Sequence, residues 1–445
     1  MSQVRIKPRL PKGMRDFLPQ DMLRREYVFS IVRDVFHLYG FEPLQTPVME
    51  LNETLMGKYG EDAEKLIYRA AHAEGKEELA LRYDLTVPLA RVVAQYQNEI
   101  TLPFRRYQIA PVWRGERPQR GRYREFYQCD ADIVGVSSMS ADAEVLSMVV
   151  MALTRLGFRQ FTVKINNRKL LTAIGQFSGV PDALLGDLYR SIDKFDKIGA
   201  EGVREELLKR GIGVDVVERM LPLLQAQMPG LERLDFLDDM LGSLPAAREA
   251  IAELRELADH LSDLNVSLQH YEFDLTMVRG LGYYTGPIFE TVITEPNLGS
   301  VSGGGRYDAL IGMFRGESIP TTGVSLGIER IIDLMELLDL YPASLGGTVV
   351  EVLVTVFNPE LHSESTQLAA LLRAHNIRTE LYMLDKGVGK QLGYADKKGV
   401  PLVALLGPDE QAAGVVKLKR LSDGLEISVP QAEVVERVRQ LLAER

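Results

Sequence analysis

Residues 104–135 read FRRYQIAPVWRGERPQRGRYREFYQCDADIVG. Two runs of strand-forming residues, Arg106 to Trp113 and Arg124 to Val134, flank a loop from Arg114 to Tyr123 that is rich in Gly, Pro and Arg, so the stretch predicts a long β-hairpin. Period-two alternation places Arg124, Phe126, Gln128 and Asp130 on one face and Glu125, Tyr127 and Cys129 on the other. A bulge or twist leaves open which of Asp130 and Asp132 points inward. Between Arg105 and Arg124 seven arginines (105, 106, 114, 117, 120, 122 and 124) stand against one acid, Glu116, a local net charge of +6 in a chain whose net charge is −10. That balance excludes a protein that coats nucleic acid by charge alone and predicts a local anion site. Arg114 and Arg122, one at each end of the loop, can grip a phosphate with fork-shaped donors, and Phe126 can stack on a flat base.

Around this hairpin, the chain reads as about three domains' worth of residues, since 445 residues at roughly 150 per domain give that number. An amphipathic helix is predicted from Asp21 to Tyr39 and strands broken by prolines follow it. Helical periodicity takes over from about Arg168 to Leu264, and strand character resumes at Val266, ending in a glycine triplet at 303–305 before a helix near Gly327. After Ser344 strands and helices alternate, which predicts a small α/β domain with a partly parallel sheet. The expected divisions are 1–165 and 265–340 for two parts of one domain, 166–264 for a mostly helical insertion, and 346–445 for the last domain. With 46% hydrophobic and 26% charged residues the composition is that of a globular protein. No apolar run approaches the roughly 20 residues of a membrane span, and the charged N-terminus lacks a secretory h-region, so a cytoplasmic protein without membrane partners is expected. The single Cys129 excludes an internal disulfide, and the six histidines lack zinc-ligand spacing.

Two further clusters carry chemistry. VRGLGYYTG, residues 278–286, sets an arginine among glycines and a tyrosine pair, where backbone can approach a ligand closely. GGGRYD at 303–308 and GVSLGIER at 323–330 match neither a phosphate-binding P-loop nor a dinucleotide fingerprint. Together the clusters supply arginines 114, 122, 279 and 330 and carboxylates 84, 116 and 132, with no nucleophile-base pair. Positioning and charge neutralisation are therefore expected rather than covalent catalysis.

In order along the chain, LPKGMRDFLP (10–19), a segment ending near Pro47, LRYDLTVPLAR (81–91), the arginine hairpin, RGLGYYTG, GGGRYD, GVSLGIER and the stretch 378–410 resemble the histidyl-tRNA synthetases, a family of class II aminoacyl-tRNA synthetases. The resemblance implies an α+β catalytic domain, an antiparallel sheet flanked by helices, interrupted by a helical insertion and followed by a C-terminal α/β anticodon-binding domain. It implies activation of L-histidine with ATP and Mg²⁺, transfer to tRNA-His, and a homodimer built on the segment near Pro47. Residue by residue, it implies that Asp84 and Thr86 hold the α-ammonium, Gln128 lies near the carboxylate, Asp132 and Tyr284 read the imidazole nitrogens, and Tyr283 and Tyr307 complete the histidine pocket. Arg114 and Arg279 would clamp the carboxylate and α-phosphate as catalytic residues. Arg122 and Arg330 would bind the terminal phosphates, Glu116 and Phe126 the adenosine, Gln119 and Arg120 the tRNA acceptor end, and no protein metal ligand is implied. The chain carries Gly282 where the family usually has Asp, and Asp132 where many members have Glu. The alternative is a non-catalytic paralogue, such as the regulatory subunit of ATP phosphoribosyltransferase, which commonly lacks the anticodon domain and the intact histidine motif.

Overall fold

A computed structural model of the chain describes residues 7–119, 121–226, 228–278 and 282–444, with the backbone alone for Glu61, Asp62 and Asp182. Its strands run β1 (Glu42–Pro43), β2 (Met49–Leu51), β3 (Arg69–Ala70), β4 (Leu79–Leu81), β5 (Phe104–Trp113), β6 (Glu125–Val134), β7 (Thr162–Asn167), β8 (Tyr271–Phe273), β9 (Pro287–Val292), β10 (Ser302–Arg306) and β11 (Thr321–Gly327) in the first unit. The second unit holds β12 (Val352–Val354), β13 (Thr379–Leu381), β14 (Leu402–Leu405), β15 (Val415–Arg420) and β16 (Glu426–Pro430). Of the described residues, those up to 15 and those from 28 to 340 form the first compact unit, and those from 16 to 27 and from 341 onward the second.

The first unit is built on an eight-stranded sheet in the order β1-β5-β6-β11-β10-β9-β7-β8. Its centre is antiparallel, as expected, but β1 joins β5 and β8 joins β7 in parallel, so the sheet is mixed at both edges. The predicted hairpin is β5 and β6, paired without a bulge from Phe104–Val134 to Trp113–Glu125. The chain leaves the sheet at Asn167, passes through helices that include Arg168–Ser178 and Pro245–Asp263, and returns at Tyr271 beside the strand it left. A parallel pair needs a long crossover of this kind, and the helical block supplies it. The Asn167 side chain caps the first of these helices by accepting from Lys169 N–H and donates to Glu253 on the last, which ties both ends of the excursion to one residue.

The glycine triplet forms the middle of a buried strand, where the sequence reading ended one. A Cβ on Gly304 would sit 2.0 Å from the Gly323 carbonyl oxygen and 2.8 Å from the Phe289 ring, so β9, β10 and β11 pack at a distance only glycine allows. At the end of β10, buried Arg306 pairs with buried Asp142 on helix Ser140–Arg155 and donates to the carbonyls of Val136 and Ser138. Asp142 also accepts from the Thr322 hydroxyl at 2.7 Å, so one carboxylate locks a helix onto two strands. Asp142→Ala strands a buried guanidinium and is expected to cost about 3–5 kcal/mol, read as a lowered urea midpoint at unchanged slope.

The second unit is a five-stranded sheet, β13-β12-β14-β15-β16, parallel from β13 to β14 and antiparallel beyond. Helices His362–Ala374 and Val434–Ala443 close one apolar core through Leu368, Leu372, Val438 and Leu441 against Val352, Val354, Leu402 and Leu418. No helix among the described residues is long and apolar enough to cross a membrane.

Candidate active site

A cavity of about 860 Å³ opens in the first unit over the faces of β6, β10 and β11. This is within the range of small-molecule sites. The regular pairing of β6 with β5 and β11 decides the point the sequence left open, because with no bulge Phe126, Gln128, Asp130 and Asp132 all line the cavity.

Asp132, 2% exposed, is among the residues that line the cavity. The Tyr307 hydroxyl donates to its Oδ1, and its Oδ2 lies 2.7 Å from the Nη2 of fully buried Arg106, off the line of a hydrogen bond. Register explains the contact: Arg106 is opposite Asp132 on β5, and Gly323 is opposite it on β11. A Cβ on Gly323 would lie 1.9 Å from Asp132 Oδ1, so the carboxylate occupies space that a side chain there would fill. Burial raises the Asp132 pKa, opposed by Arg106 and the Tyr307 hydrogen bond. It also lifts the Tyr307 phenol well above its ordinary value, so Tyr307 stays a donor.

Asp84 lies just before helix Thr86–Gln95, with its Oδ1 accepting from the Tyr59 hydroxyl at 2.8 Å and from Val87 N–H at 3.1 Å. The Tyr283 hydroxyl approaches Oδ2 at 3.5 Å, and the Tyr283 and Tyr284 rings meet at 4.9 Å. Burial raises the Asp84 pKa against these hydrogen bonds. Thr86 and both tyrosines line the cavity as well.

Gln128 donates from Nε2 to the Ser325 hydroxyl at 2.9 Å, while its Oε1 is buried without a hydrogen bond. The sequence reading placed Gln128 beside a carboxylate, which requires a donor. The bond to Ser325 uses one of the two amide donors and leaves Oε1 as a buried acceptor without a hydrogen bond, and an acceptor suits an ammonium.

Arg114 follows the last residue of β5. Its Nε donates to the Tyr83 carbonyl at 3.1 Å, and its guanidinium stacks between the Tyr83 and Phe126 rings at 4.5 and 5.1 Å from their centroids. Among the described residues it has no carboxylate partner, which leaves a held cation facing the cavity. Arg330 donates from Nε to Gly121 O at 3.2 Å and from Nη1 to Ser300 O at 2.6 Å, joining the hairpin loop to helix Ile328–Leu337. Arg122 pairs with Glu116 at 3.2 Å while its side chain remains half exposed. Arg279 and Arg120 lie outside the described residues. Among the described residues no three His, Cys, Asp or Glu side chains converge as a metal site.

The arginine run is thus no single patch. Arg106 is buried against Asp132, Arg105 pairs with Glu144, Arg124 holds the Glu116 carbonyl, and Arg114 serves the cavity. Two residues that the sequence reading did not use, Ser325 and Lys164, also line the cavity; Lys164 pairs with Asp274 at 2.8 Å and Asp196 at 2.9 Å. Neither was legible, because each gains its meaning from partners far away in sequence.

The family profile described as histidyl-tRNA synthetase matches residues 13–331, and one described as anticodon binding domain matches residues 351–441. The chain belongs to the histidyl-tRNA synthetase family. It is 41% identical to the histidine–tRNA ligase of Porphyromonas gingivalis, over 95% of this chain and 97% of that protein. To the histidine–tRNA ligase of Aeropyrum pernix it is 43% identical, over 98% of this chain and 99% of that protein. The crystal structure of histidyl-tRNA synthetase from Nostoc sp. PCC 7120 superposes with a TM-score of 0.86 at 31% identity, covering 98% of this chain and all of that one. Matches across both domains favour this family's ligase activity over the non-catalytic alternative.

Gly282, the departure from the family motif, has the Tyr59 carbonyl at 4.0 Å as the nearest atom to a built Cβ. A Cβ there would make only an ordinary van der Waals contact, so packing does not demand glycine at this position.

Proposed function

We infer that this chain is a histidine–tRNA ligase that works in the cytoplasm: it joins L-histidine to ATP as histidyl-adenylate, releases pyrophosphate, and transfers histidine to the 3′ end of tRNA-His. The observation that carries the site assignment is one cavity lined both by two buried carboxylates, Asp84 and Asp132, and by the ring-stacked cation Arg114. Asp84 and Thr86, with Gln128 Oε1, receive the α-ammonium. Asp132 and Tyr284 take the imidazole nitrogens, Tyr307 holds Asp132 in place, and Tyr283 holds Asp84. An amino acid without those ring nitrogens leaves buried polar groups unpaired, which is the strongest discrimination a pocket offers.

The substrate carboxylate then lies toward Arg114, which with Arg279 is proposed to clamp it against the α-phosphorus for in-line attack. Negative charge grows on the phosphoryl oxygens in the transition state, and a guanidinium already fixed by two rings and a carbonyl needs no rearrangement to meet it. Arg330 and Arg122 are assigned to the terminal phosphates, Phe126 to the adenine face and Glu116 to the adenosine. Mg²⁺ bound to ATP would neutralise the leaving pyrophosphate. For tRNA, Gln119 and Arg120 on the hairpin loop are assigned to the acceptor end and the second unit to the anticodon. The proposed homodimer uses the region around Val48, Met49, Leu51 and Leu102, which exposes 41–47% of each of these apolar side chains.

Histidine-dependent exchange of pyrophosphate into ATP by the full chain tests the reading. Exchange that requires L-histidine, and is absent with other amino acids, is the expected result. A purified, folded protein that shows none is no ligase.

A further inference from the structure

Asp130 lies between Gln128 and Asp132 on the cavity face of β6, is 2% exposed, and has no role in the assignment above. Its Oδ1 is buried without a hydrogen bond, and the neighbouring Ser325 hydroxyl holds the carboxyl's pKa down against burial. Ser325 is directly opposite Asp130 across the β6–β11 pairing, and its oxygen also receives Gln128 Nε2–H at 2.9 Å. A hydroxyl that donates to a carboxylate has only lone pairs left for its other neighbour. The amide of Gln128 then presents its nitrogen to Ser325, as observed, and keeps its oxygen as an acceptor without a partner. Gln128 N–H donates to Ser325, and the Asp130 carboxylate, opposite Ser325 and with one oxygen lacking a partner, is the acceptor placed to take the Ser325 proton.

We propose that Asp130 is a positioning residue for histidine binding, fixing through Ser325 the orientation of Gln128 so that Oε1 accepts from the substrate's ammonium. This rests on the reading of the cavity as a histidine site. The direction of the relay depends on Asp130 being ionised. A protonated Asp130 can donate to Ser325, whose hydroxyl then donates to Gln128 Oε1, and the amide turns its NH₂ inward against a cation.

The groups that set this charge come from every packed element: Arg106 on β5, Asp132 on the same strand, Asp84 ahead of helix Thr86–Gln95, Arg82 just after β4, and Tyr307 just after β10. Burial pushes the Asp130 carboxyl up to about 7, with Arg106 opposing and Asp132 adding to the rise. Because the value is raised, the ionised form that orients Gln128 prevails above that pH and is lost below it.

The test is pyrophosphate exchange by the full chain at pH 6, 7 and 8, comparing wild type with Asp130→Ala, Ser325→Ala and Asp130→Asn. At pH 8 the two alanine variants are expected to raise KM for histidine about tenfold, the worth of one charge-assisted hydrogen bond, with KM for ATP and kcat within about twofold. Asp130→Asn, which can still accept from Ser325, recovers most of the loss at that pH. The ratio of variant to wild-type histidine KM should shrink toward pH 6, where wild type loses the same orientation. Titration of free histidine is common to all the proteins and cancels in that ratio.

A pH-independent ratio, a histidine KM within twofold of wild type in both alanine variants, or equal rises in histidine and ATP KM would each overturn the proposal. Should Asp130→Ala fail to fold, Ser325→Ala decides alone, since it removes the relay without touching a charge. Wild type without histidine-dependent exchange would instead overturn the histidine reading itself, and this assignment with it.

Discussion

Alanine in place of Arg114 is expected to lower histidine-dependent pyrophosphate exchange by about 10²–10³, mainly in kcat, while the protein still folds. The guanidinium is held by the Tyr83 carbonyl and by the Tyr83 and Phe126 rings, with no ion pair among the described residues to consume its charge. A cation held this way contributes most when a partner gains negative charge, as the phosphoryl oxygens do during attack. Its contribution to stability is one hydrogen bond and two ring contacts in a half-buried setting, roughly 1–2 kcal/mol. Thermal melting measured beside the exchange assay separates the two effects. A variant within tenfold of wild type in kcat would remove Arg114 from the chemistry, and one that raises only KM would make it a ground-state binder.

The second large effect is expected from a single methyl group, in Gly323→Ala. The new Cβ would fall 1.9 Å from Asp132 Oδ1 and 3.0 Å from the Ala131 carbonyl oxygen, so Asp132 must leave the position where Tyr307 and Arg106 meet it. Overpacking of this kind costs about 1–3 kcal/mol of stability. Loss of the imidazole partner should raise KM for histidine by about 10² or more and leave KM for ATP near its original value, because Arg114 and Arg330 are untouched. Unchanged histidine KM in a folded Gly323→Ala protein would show that Asp132 does not read the ring.

The hairpin was legible because its signal is local: strand-forming residues on both sides of a Gly-Pro-Arg loop, with alternation that the structure preserves without a bulge. The helical block between Asn167 and Tyr271 and the alternating C-terminal unit were legible for the same reason, since periodicity is a property of neighbouring residues. Pairings between distant segments were not. Nothing near Ser325 announces that it faces Asp130, and nothing near Arg106 separates it from the arginines that serve the cavity, until β6 is set between β5 and β11. The orientation of the Gln128 amide was hidden for a related reason. An amide offers both a donor and an acceptor, and only the hydroxyl on the neighbouring strand selects between them.

Part of the cavity floor is the bare backbone of Gly303, Gly304 and Gly323, which bears on redesign. A floor that carries no side chains has nothing left to trim, so no substitution there can enlarge the chamber, and every one is a step toward a narrower substrate. Variants meant to accept bulkier amino acids must draw their space from the walls, and the wall positions proposed to hold the ring, Asp132 and Tyr307, are the ones on which the proposed selectivity rests.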